Sequence, residues 1–332
     1  MKSVIVALAD IPRAANYDVR TSSFFQHHNK LPSPEEVRSQ ARAQYLSGNH
    51  WGWKKRDVSE VYNSRPAPAV FEDMSLFVKW GSEIQVSEGQ TLYTIRNSCG
   101  DFVPVPEIYG WRRDGDETFL YMEAISGKTL EDAWPEMEED DRLRVCGEIR
   151  TILHNLRRLK QNPTEKFIGE SRYSEAIFTT HSTLTSHCLG NITRNNYYER
   201  ALRLASQPET GPFNSLKDFH GWFIFQYKRK MPDPETVPEP YRAHLPDDSE
   251  ITFTHGDLHR SNILVSATPP RVTALIDWEQ SGWLPAYWES CKAHWTASYL
   301  SDWAVKYLPL VLDQSDESVQ EAWDYYTDSV GC

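Results

Sequence analysis

From Glu139 to Lys160 the apolar residues fall at Val145, Ile149, Ile152, Leu156 and Leu159. Steps of four and three place them on one face, so the spacing predicts a helix over 139–160 with a single buried stripe. The stepping recurs at Leu216, Phe219, Phe223 and Tyr227, where Asn214 is the expected cap, and at Val319, Trp323 and Tyr326 within a helix near 315–329. Upstream the pattern is different. Ser75–Trp80, Glu107–Arg112 and Thr118–Glu123 read as short strands, with Asp114-Gly115 as a turn between the last two. Two helix starts stand among them. Ser33-Pro34-Glu35-Glu36 combines a cap, a first-turn Pro and early acids. Ser87-Glu-Gly-Gln90 offers a capping box for a short helix carrying Leu92 and Ile95, weakened by Gly89. The rest of 10–50 reads as irregular, and 228–250 as a Pro-rich polar connection.

This order predicts an α+β chain of two lobes. An N-terminal extension (1–50) precedes a small β-rich lobe (51–124), and a joint near 123–127 leads into a larger, mainly helical lobe (125–332). Ligands favour the clefts such lobes form. A chain of 332 residues can bury about three quarters of its unfolded surface, which is ample for a core. With 39% apolar and 25% charged residues, it is neither disordered nor fibrous. No apolar run approaches the roughly 20 residues that span a bilayer, so no membrane partner is expected. The apolar stretch at the start stops at Asp10, short of a secretory core. Cys99, Cys146, Cys188, Cys291 and Cys332 are odd in number, scattered and without zinc spacing. A reducing, cytoplasmic setting is the simplest reading. The net charge, 35 − 47 = −12, argues against nucleic acid and allows a cationic small molecule.

The richest chemistry lies in Phe253-Thr-His-Gly-Asp-Leu-His-Arg-Ser-Asn-Ile-Leu-Val265, followed by Val272-Thr-Ala-Leu-Ile-Asp-Trp-Glu279. Asp257 and Asn262 flank a polar loop that ends in a strand over 263–265. A turn over 267–271 and a second strand over 272–276 then deliver Asp277 beside it. A carboxylate with an amide oxygen suits a hard cation such as Mg²⁺, which takes its remaining ligands from water and phosphate. A second carboxylate, left off the metal, can orient a hydroxyl and accept its proton. Phosphoryl transfer needs that division of labour. Lys79, on the upstream strand, is the candidate to hold the α- and β-phosphates, and Glu88, on the next helix, the candidate to fix Lys79 by an ion pair.

His255-Gly-Asp257-Leu-His-Arg-Ser-Asn262 with Ile276-Asp277-Trp-Glu279 resembles the aminoglycoside phosphotransferase and choline kinase-like family, which shares the protein-kinase fold. Gly282-Trp-Leu-Pro-Ala-Tyr-Trp-Glu289 is similar to its fungal branch in particular. The likeness runs over roughly 55–330. Four fixed residues in an eight-residue window arise by chance in about two of a thousand chains of this length. Further pieces agree: Phe77-Val-Lys79-Trp-Gly81 as the nucleotide-lysine strand, Glu88 as the helix glutamate, Val103-Pro-Val-Pro106 before the fourth strand, and Tyr121–Leu130 as the hinge. The resemblance implies a bilobal kinase-like fold and transfer of the γ-phosphate of ATP, with Mg²⁺, to a hydroxyl of a small molecule. By it, Asp257 is the catalytic base or the residue that orients the hydroxyl, with His259 either reaching the transferred phosphate or bracing the loop. Asn262 and Asp277 are metal ligands, His255 supports the loop, and backbone groups of Glu123, Ala124 and Ile125 meet the base.

The chain departs from the kinase pattern in two places. No Gly-rich loop precedes Lys79, and Ser59 or Ser64 is offered in its place for the phosphates. That departure motivates the alternative of a pseudokinase or ligand-binding scaffold. No Ala-Pro-Glu segment follows Asp277, which argues against a protein kinase. Bland readings compete elsewhere. Glu279 reads as a structural ion-pair partner. Trp278, Trp283, Tyr287, Trp288, Trp295 and Trp303 read as core ahead of a cage for an amine. The acidic tail from Asp313 to Asp328 reads as a solvated face that leaves a cationic acceptor open.

Overall fold

A computed structural model describes residues 2–48, 66–164, 189–194, 211–229, 231–297 and 300–328. They form two compact units. One comprises 11–141 and 260–279, the other 1–10, 142–259 and 280–332. Among the described residues no helix is long and apolar enough to cross a membrane.

The first unit is built on a five-stranded antiparallel sheet, counted among the described residues, in the order Tyr17–Asp18, Ile108–Asp114, Glu117–Glu123, Leu76–Gly81, Ala69–Phe71. Alternation puts Leu76 and Val78 into the core with Phe119, Tyr121 and Tyr109, while Lys79 faces the other way. The strands follow the expected runs, and Gly115 turns the hairpin at φ +62°. The helix after them is longer than its sequence signals. It runs Val86–Cys99 with Gln85 at its start and no side-chain cap, so the expected box at Ser87 does not form. Gly89 serves packing instead. A Cβ there would come within 3.2 Å of both Leu120 and Trp111, so its absence lets the helix lie close on the sheet.

The stretch 10–50, expected to be irregular apart from the helix after Ser33, supplies structure to this unit, including the edge strand Tyr17–Asp18. Helix Pro34–Leu46 begins with the expected Ser33–Glu36 capping box. One turn apart on it, Gln40 Nε2 donates to the Val70 carbonyl and Gln44 Oε1 accepts from the Val70 N–H, both at 2.8 Å. The two amides do for the edge strand what another strand would, and so cover a row of exposed backbone. A second sheet joins Lys128–Thr129, Ile263–Val265 and Val272–Leu275, antiparallel throughout.

The other unit is mainly helical, with helices Glu139–Leu156, Leu216–Lys228, Trp288–Thr296 and Glu317–Asp328. Two details differ from the periodic reading. The first helix stops at Leu156, and Leu159 enters a strand, Leu159–Gln161, parallel to Val4–Val6. Ser215, not Asn214, caps the second helix by accepting from the Asp218 N–H. Phe219, Phe223, Trp288, Trp323 and Tyr326 close the core, with Trp288 edge-on to Trp323 at 4.1 Å between centroids. Trp278, Trp283, Trp288 and Trp303 are at most 4% exposed, so these four pack rather than cage. Strand Ile251–Thr254 pairs with Gly282–Pro285 and carries the chain into the His255 loop.

Gly110 is the tightest point of the sheet. It pairs with Tyr121 just after the register irregularity between Ile108 and Gly110, and an added Cβ would meet the Tyr17 carbonyl oxygen at 2.4 Å. Gly110→Ala therefore has to push Tyr17–Asp18 off the sheet edge. It should cost about 2 kcal/mol, read as a lower urea midpoint with an unchanged slope.

Candidate active site

In the sheet-bearing unit the Lys79 strand, the Glu88 helix and the hairpin ending at Asp277 bring four charged side chains to one point. Lys79 Nζ lies 2.8 Å from Glu88 Oε2, 2.5 Å from Asp277 Oδ1 and 3.3 Å from Glu279 Oε2. The carboxylates of Glu88, Asp277 and Glu279 lie within 4.8 Å of one another. Glu88 and Glu279 have side chains only 2% exposed, whereas Lys79 keeps 20% and Asp277 29%. The cluster is thus a buried acidic floor around the lysine, with Asp277 its most exposed member.

Local backbone explains how Asp277 arrives there. Ile263 pairs with Leu275, and the Ile276 N–H donates to the Asn262 carbonyl at 2.9 Å. Asn262 and Asp277 therefore stand at the same end of one hairpin. The Trp278 indole donates to the Leu275 carbonyl at 2.8 Å and closes the turn. Asp277 itself sits at φ +63°. A side chain there costs strain that the flanking bonds must hold, and Asp tolerates that region better than most residues.

Electrostatics follow from the count. Three carboxylates and one ammonium carry a surplus of two negative charges, all from oxygen donors. With the amide of Asn262 at the hairpin end, that set suits a divalent hard cation. Burial pulls the Lys79 pKa down, but Asp277, Glu88 and Glu279 together outweigh it and hold the ammonium above its usual range. Glu88 moves the other way for a carboxyl. Burial pushes it up, Lys79 opposes, and the charges of Asp277 and Glu279 add, leaving it at about 7.

The helical unit holds the other half of the sequence motif. His255 is fully buried, and its Nδ1 accepts from the Asp257 N–H at 3.2 Å. Gly256 takes φ +76°, and the His259 N–H donates to the Asp257 carbonyl at 2.8 Å, so Asp257 and His259 share one tight turn. Glu289, in the first turn of helix Trp288–Thr296, accepts from the His255 N–H at 2.7 Å and from the Gly256 N–H at 3.2 Å. The hinge residues begin at the end of strand Glu117–Glu123. The Glu123 N–H donates to the Glu107 carbonyl and the Ala124 N–H to the Ser75 carbonyl. Both of those N–H groups are therefore already engaged.

Sequence reasoning named Lys79, Glu88 and Asp277, which the structure brings together, and treated Glu279 as a structural ion-pair partner. Glu279 does contact Lys79 and completes the acidic floor. Glu289 went unread. It acts on backbone N–H groups, and its only signal is an acid following an aromatic run. Ser59 and Ser64 lie outside the described residues.

The raised Glu88 pKa has a consequence for the protein alone. Its proton is held more tightly in the folded state, so this group's contribution to stability is fully present below about 4.5 and is lost as pH rises through about 7. Urea titrations across pH 4.5–8 should show that downward slope, and Glu88→Gln should flatten it. An equal slope in the variant would assign the effect elsewhere.

Solved structures that the chain resembles include the following three. The crystal structure of an aminoglycoside-3'-phosphotransferase of type VIII is 16% identical over 89% of this chain and 98% of its own, with a TM-score of 0.47. The streptomycin–ATP ternary complex of APH(2")-IIa is 12% identical over 88% and 87%, with a TM-score of 0.44. APH(3'')-Id from Streptomyces rimosus is 15% identical over 89% and 98%, with a TM-score of 0.43. No curated protein matches. The sequence model of the phosphotransferase enzyme family matches residues 85–324, which takes in Glu88, the His255–Asn262 loop, Asp277 and Glu289. A match over that span places the chain in the phosphotransferase enzyme family.

Proposed function

We propose that the protein moves the γ-phosphate of ATP, in a Mg²⁺-dependent reaction, to a hydroxyl group of a small molecule. The observation that carries this reading is Lys79 at 2.8 Å from Glu88 and 2.5 Å from Asp277. A lysine fixed by a buried glutamate presents a point charge to nucleotide phosphates without spending chain entropy on finding them. Its family membership gives the same class of reaction.

Asn262 and Asp277 would hold the Mg²⁺ ion, which when bound neutralises phosphate charge. Lys79 then exchanges its contact with Asp277 for phosphate oxygens while keeping Glu88. The acceptor hydroxyl is oriented by Asp257. A new bond forms from the acceptor oxygen to Pγ, the bond from Pγ to the bridging oxygen breaks, ADP leaves, and the hydroxyl proton passes to the Asp257 carboxylate. His259, in the same turn as Asp257, meets the transferred phosphate. The nucleotide base takes its polar contacts from backbone groups at 123–125.

The acceptor is a small molecule, and the overall charge of −12 favours one bearing an amine. Neither nucleic acid nor a membrane is a partner in this reading. Cys99, Cys146 and Cys291 are buried free thiols, in keeping with a cytoplasmic enzyme.

The test is a mass-spectrometric screen of Mg·ATP with hydroxyl-bearing metabolites, scored for the gain of one phosphate, beside calorimetry with Mg·nucleotide. Asp257→Ala should cut turnover by about a hundred- to ten-thousandfold while nucleotide still binds. Full turnover in that variant would remove Asp257 from the chemistry. Nucleotide binding by the wild type without transfer to any acceptor would favour the scaffold.

A further inference from the structure

Lys79 stands at one end of a row that crosses the sheet. It pairs with Leu120, Leu120 with Trp111, and Trp111 with Tyr17 on the edge strand. Residues directly opposite one another in antiparallel strands share a face, so these four side chains line one surface. Helix Val86–Cys99 lies over that surface. Gly89 approaches Leu120 and Trp111 so closely that a Cβ would meet each at 3.2 Å. One turn further along the helix, Tyr93 meets Tyr17 edge to face at 6.2 Å between centroids, and Tyr17 stacks on Trp111 at 5.1 Å. Glu88 immediately precedes Gly89, so the contacts that set the height and tilt of this helix also set the reach of Glu88 to Lys79.

The far end of the row is supplied by the first twenty residues. The Trp111 indole donates to the Ala14 carbonyl, and Gln90 Nε2, from the helix itself, donates to the Pro12 carbonyl, both at 2.8 Å. Arg112 Nη1 donates to the Tyr17 carbonyl at 3.1 Å and the Val19 N–H to the Tyr109 carbonyl at 2.9 Å, which fasten the short strand Tyr17–Asp18 to its neighbour. Trp111 is fully buried and Gln90 only 8% exposed. Removing the backbone of 12–14 would leave both buried donors without these acceptors, which is costly. The helix has no side-chain cap at its start, so its seat depends on packing and on these ties. Residues 12–18 precede the span 85–324 that the family model matches. The Glu88 helix is thus braced by a segment from outside that span.

We propose that Tyr17 is a positioning residue for phosphotransfer: with the backbone of Pro12 and Ala14 it holds helix Val86–Cys99 on the sheet at the height from which Glu88 meets Lys79. Tyr17 is three strand spacings from Lys79, about 14 Å, and acts through Tyr93 and Trp111. The inference deepens the phosphotransfer reading, and its kinetic arm rests on it.

The test compares wild type with Tyr17→Ala, Tyr17→Phe, Gln90→Met and Val37→Ala. Val37 is fully buried on the opposite face of the same sheet, so its variant controls for lost stability alone. The first readout is amide hydrogen exchange. Protection over 86–99, relative to that over 117–123, should fall about fivefold or more in Tyr17→Ala and in Gln90→Met. It should stay as in wild type in Tyr17→Phe, which keeps both ring contacts, and in Val37→Ala. The second readout is hydrolysis of Mg·ATP to ADP and phosphate without added acceptor, which needs no knowledge of the substrate. Tyr17→Ala should lose about tenfold or more in kcat with KM for Mg·ATP within about threefold, and Tyr17→Phe and Val37→Ala should stay within about twofold of wild type in both. A Tyr17→Ala enzyme with wild-type kcat or unchanged relative protection over 86–99 would overturn the proposal. So would a Tyr17→Phe enzyme no better than Tyr17→Ala, or a Val37→Ala enzyme that loses as much kcat. If Tyr17→Ala does not fold, Gln90→Met, which keeps the volume and loses the donor to Pro12, decides on the same two readouts. A wild type that turns over no ATP would sink the phosphotransfer reading instead, and the exchange measurement would still decide whether Tyr17 braces the helix.

Discussion

One ammonium among three carboxylates governs the sheet-bearing unit. Lys79 reaches Glu88, Asp277 and Glu279 from a strand, while the acids come from a helix and from a hairpin some two hundred residues further along the chain. None of the three elements would place its charge there alone. A buried Glu88 without Lys79 would be an uncompensated charge, and Lys79 without the acids would turn to solvent. The ion pair therefore locks helix Val86–Cys99 to strand Leu76–Gly81, and Gly89 makes that approach sterically possible. The surplus negative charge is what marks the cluster as a candidate site. A structural network would balance itself, whereas this one holds Glu88 near 7 and leaves Asp277 partly exposed.

The two units meet the problem of a buried acid in opposite ways. Glu88 is answered by a side-chain cation that can also serve phosphate. Glu289 is answered by peptide N–H groups, which cannot leave. A lysine stands on a flexible stem with several donors and can change partners. Peptide N–H groups are fixed in the backbone, where no rotamer can relax.

Legibility in the sequence follows from the kind of interaction involved. Periodic burial was readable: the strands at Lys79 and Tyr121 and the helices at Ile149, Phe223 and Trp323 stand where their apolar spacing puts them. That Lys79, Glu88 and Asp277 would come together was readable, because a lysine fixed by acids needs particular side chains on particular elements. Gln40 and Gln44 were not, since a glutamine that completes a strand edge has the same letter as one in solvent. Glu289 was hidden for the same reason, because its partners are backbone atoms that every sequence contains. The Ser87 cap misled through local pattern alone. Packing of Gly89 on Leu120 and Trp111 sets the helix against the sheet, and it starts at Val86 without needing the box.

Two residues in left-handed conformation close the argument, one in each half of the motif. Gly256 at φ +76° immediately precedes Asp257, and Asp277 at φ +63° immediately follows the hairpin strand and Ile276. Both reverse the chain within one residue, so a carboxylate projects from the turn instead of continuing the strand's alternation. At 256 the conformation suits glycine, and the N–H it exposes is the one Glu289 receives. At 277 the side chain is the one Lys79 contacts, so glycine would lose the ion pair and the strain has to be borne. The neighbours bear it: Ile276 N–H on Asn262, Trp278 indole on Leu275, and Lys79 on the carboxylate. The strain at Asp277 is thus held by bonds to backbone on both sides and by the ion pair with Lys79.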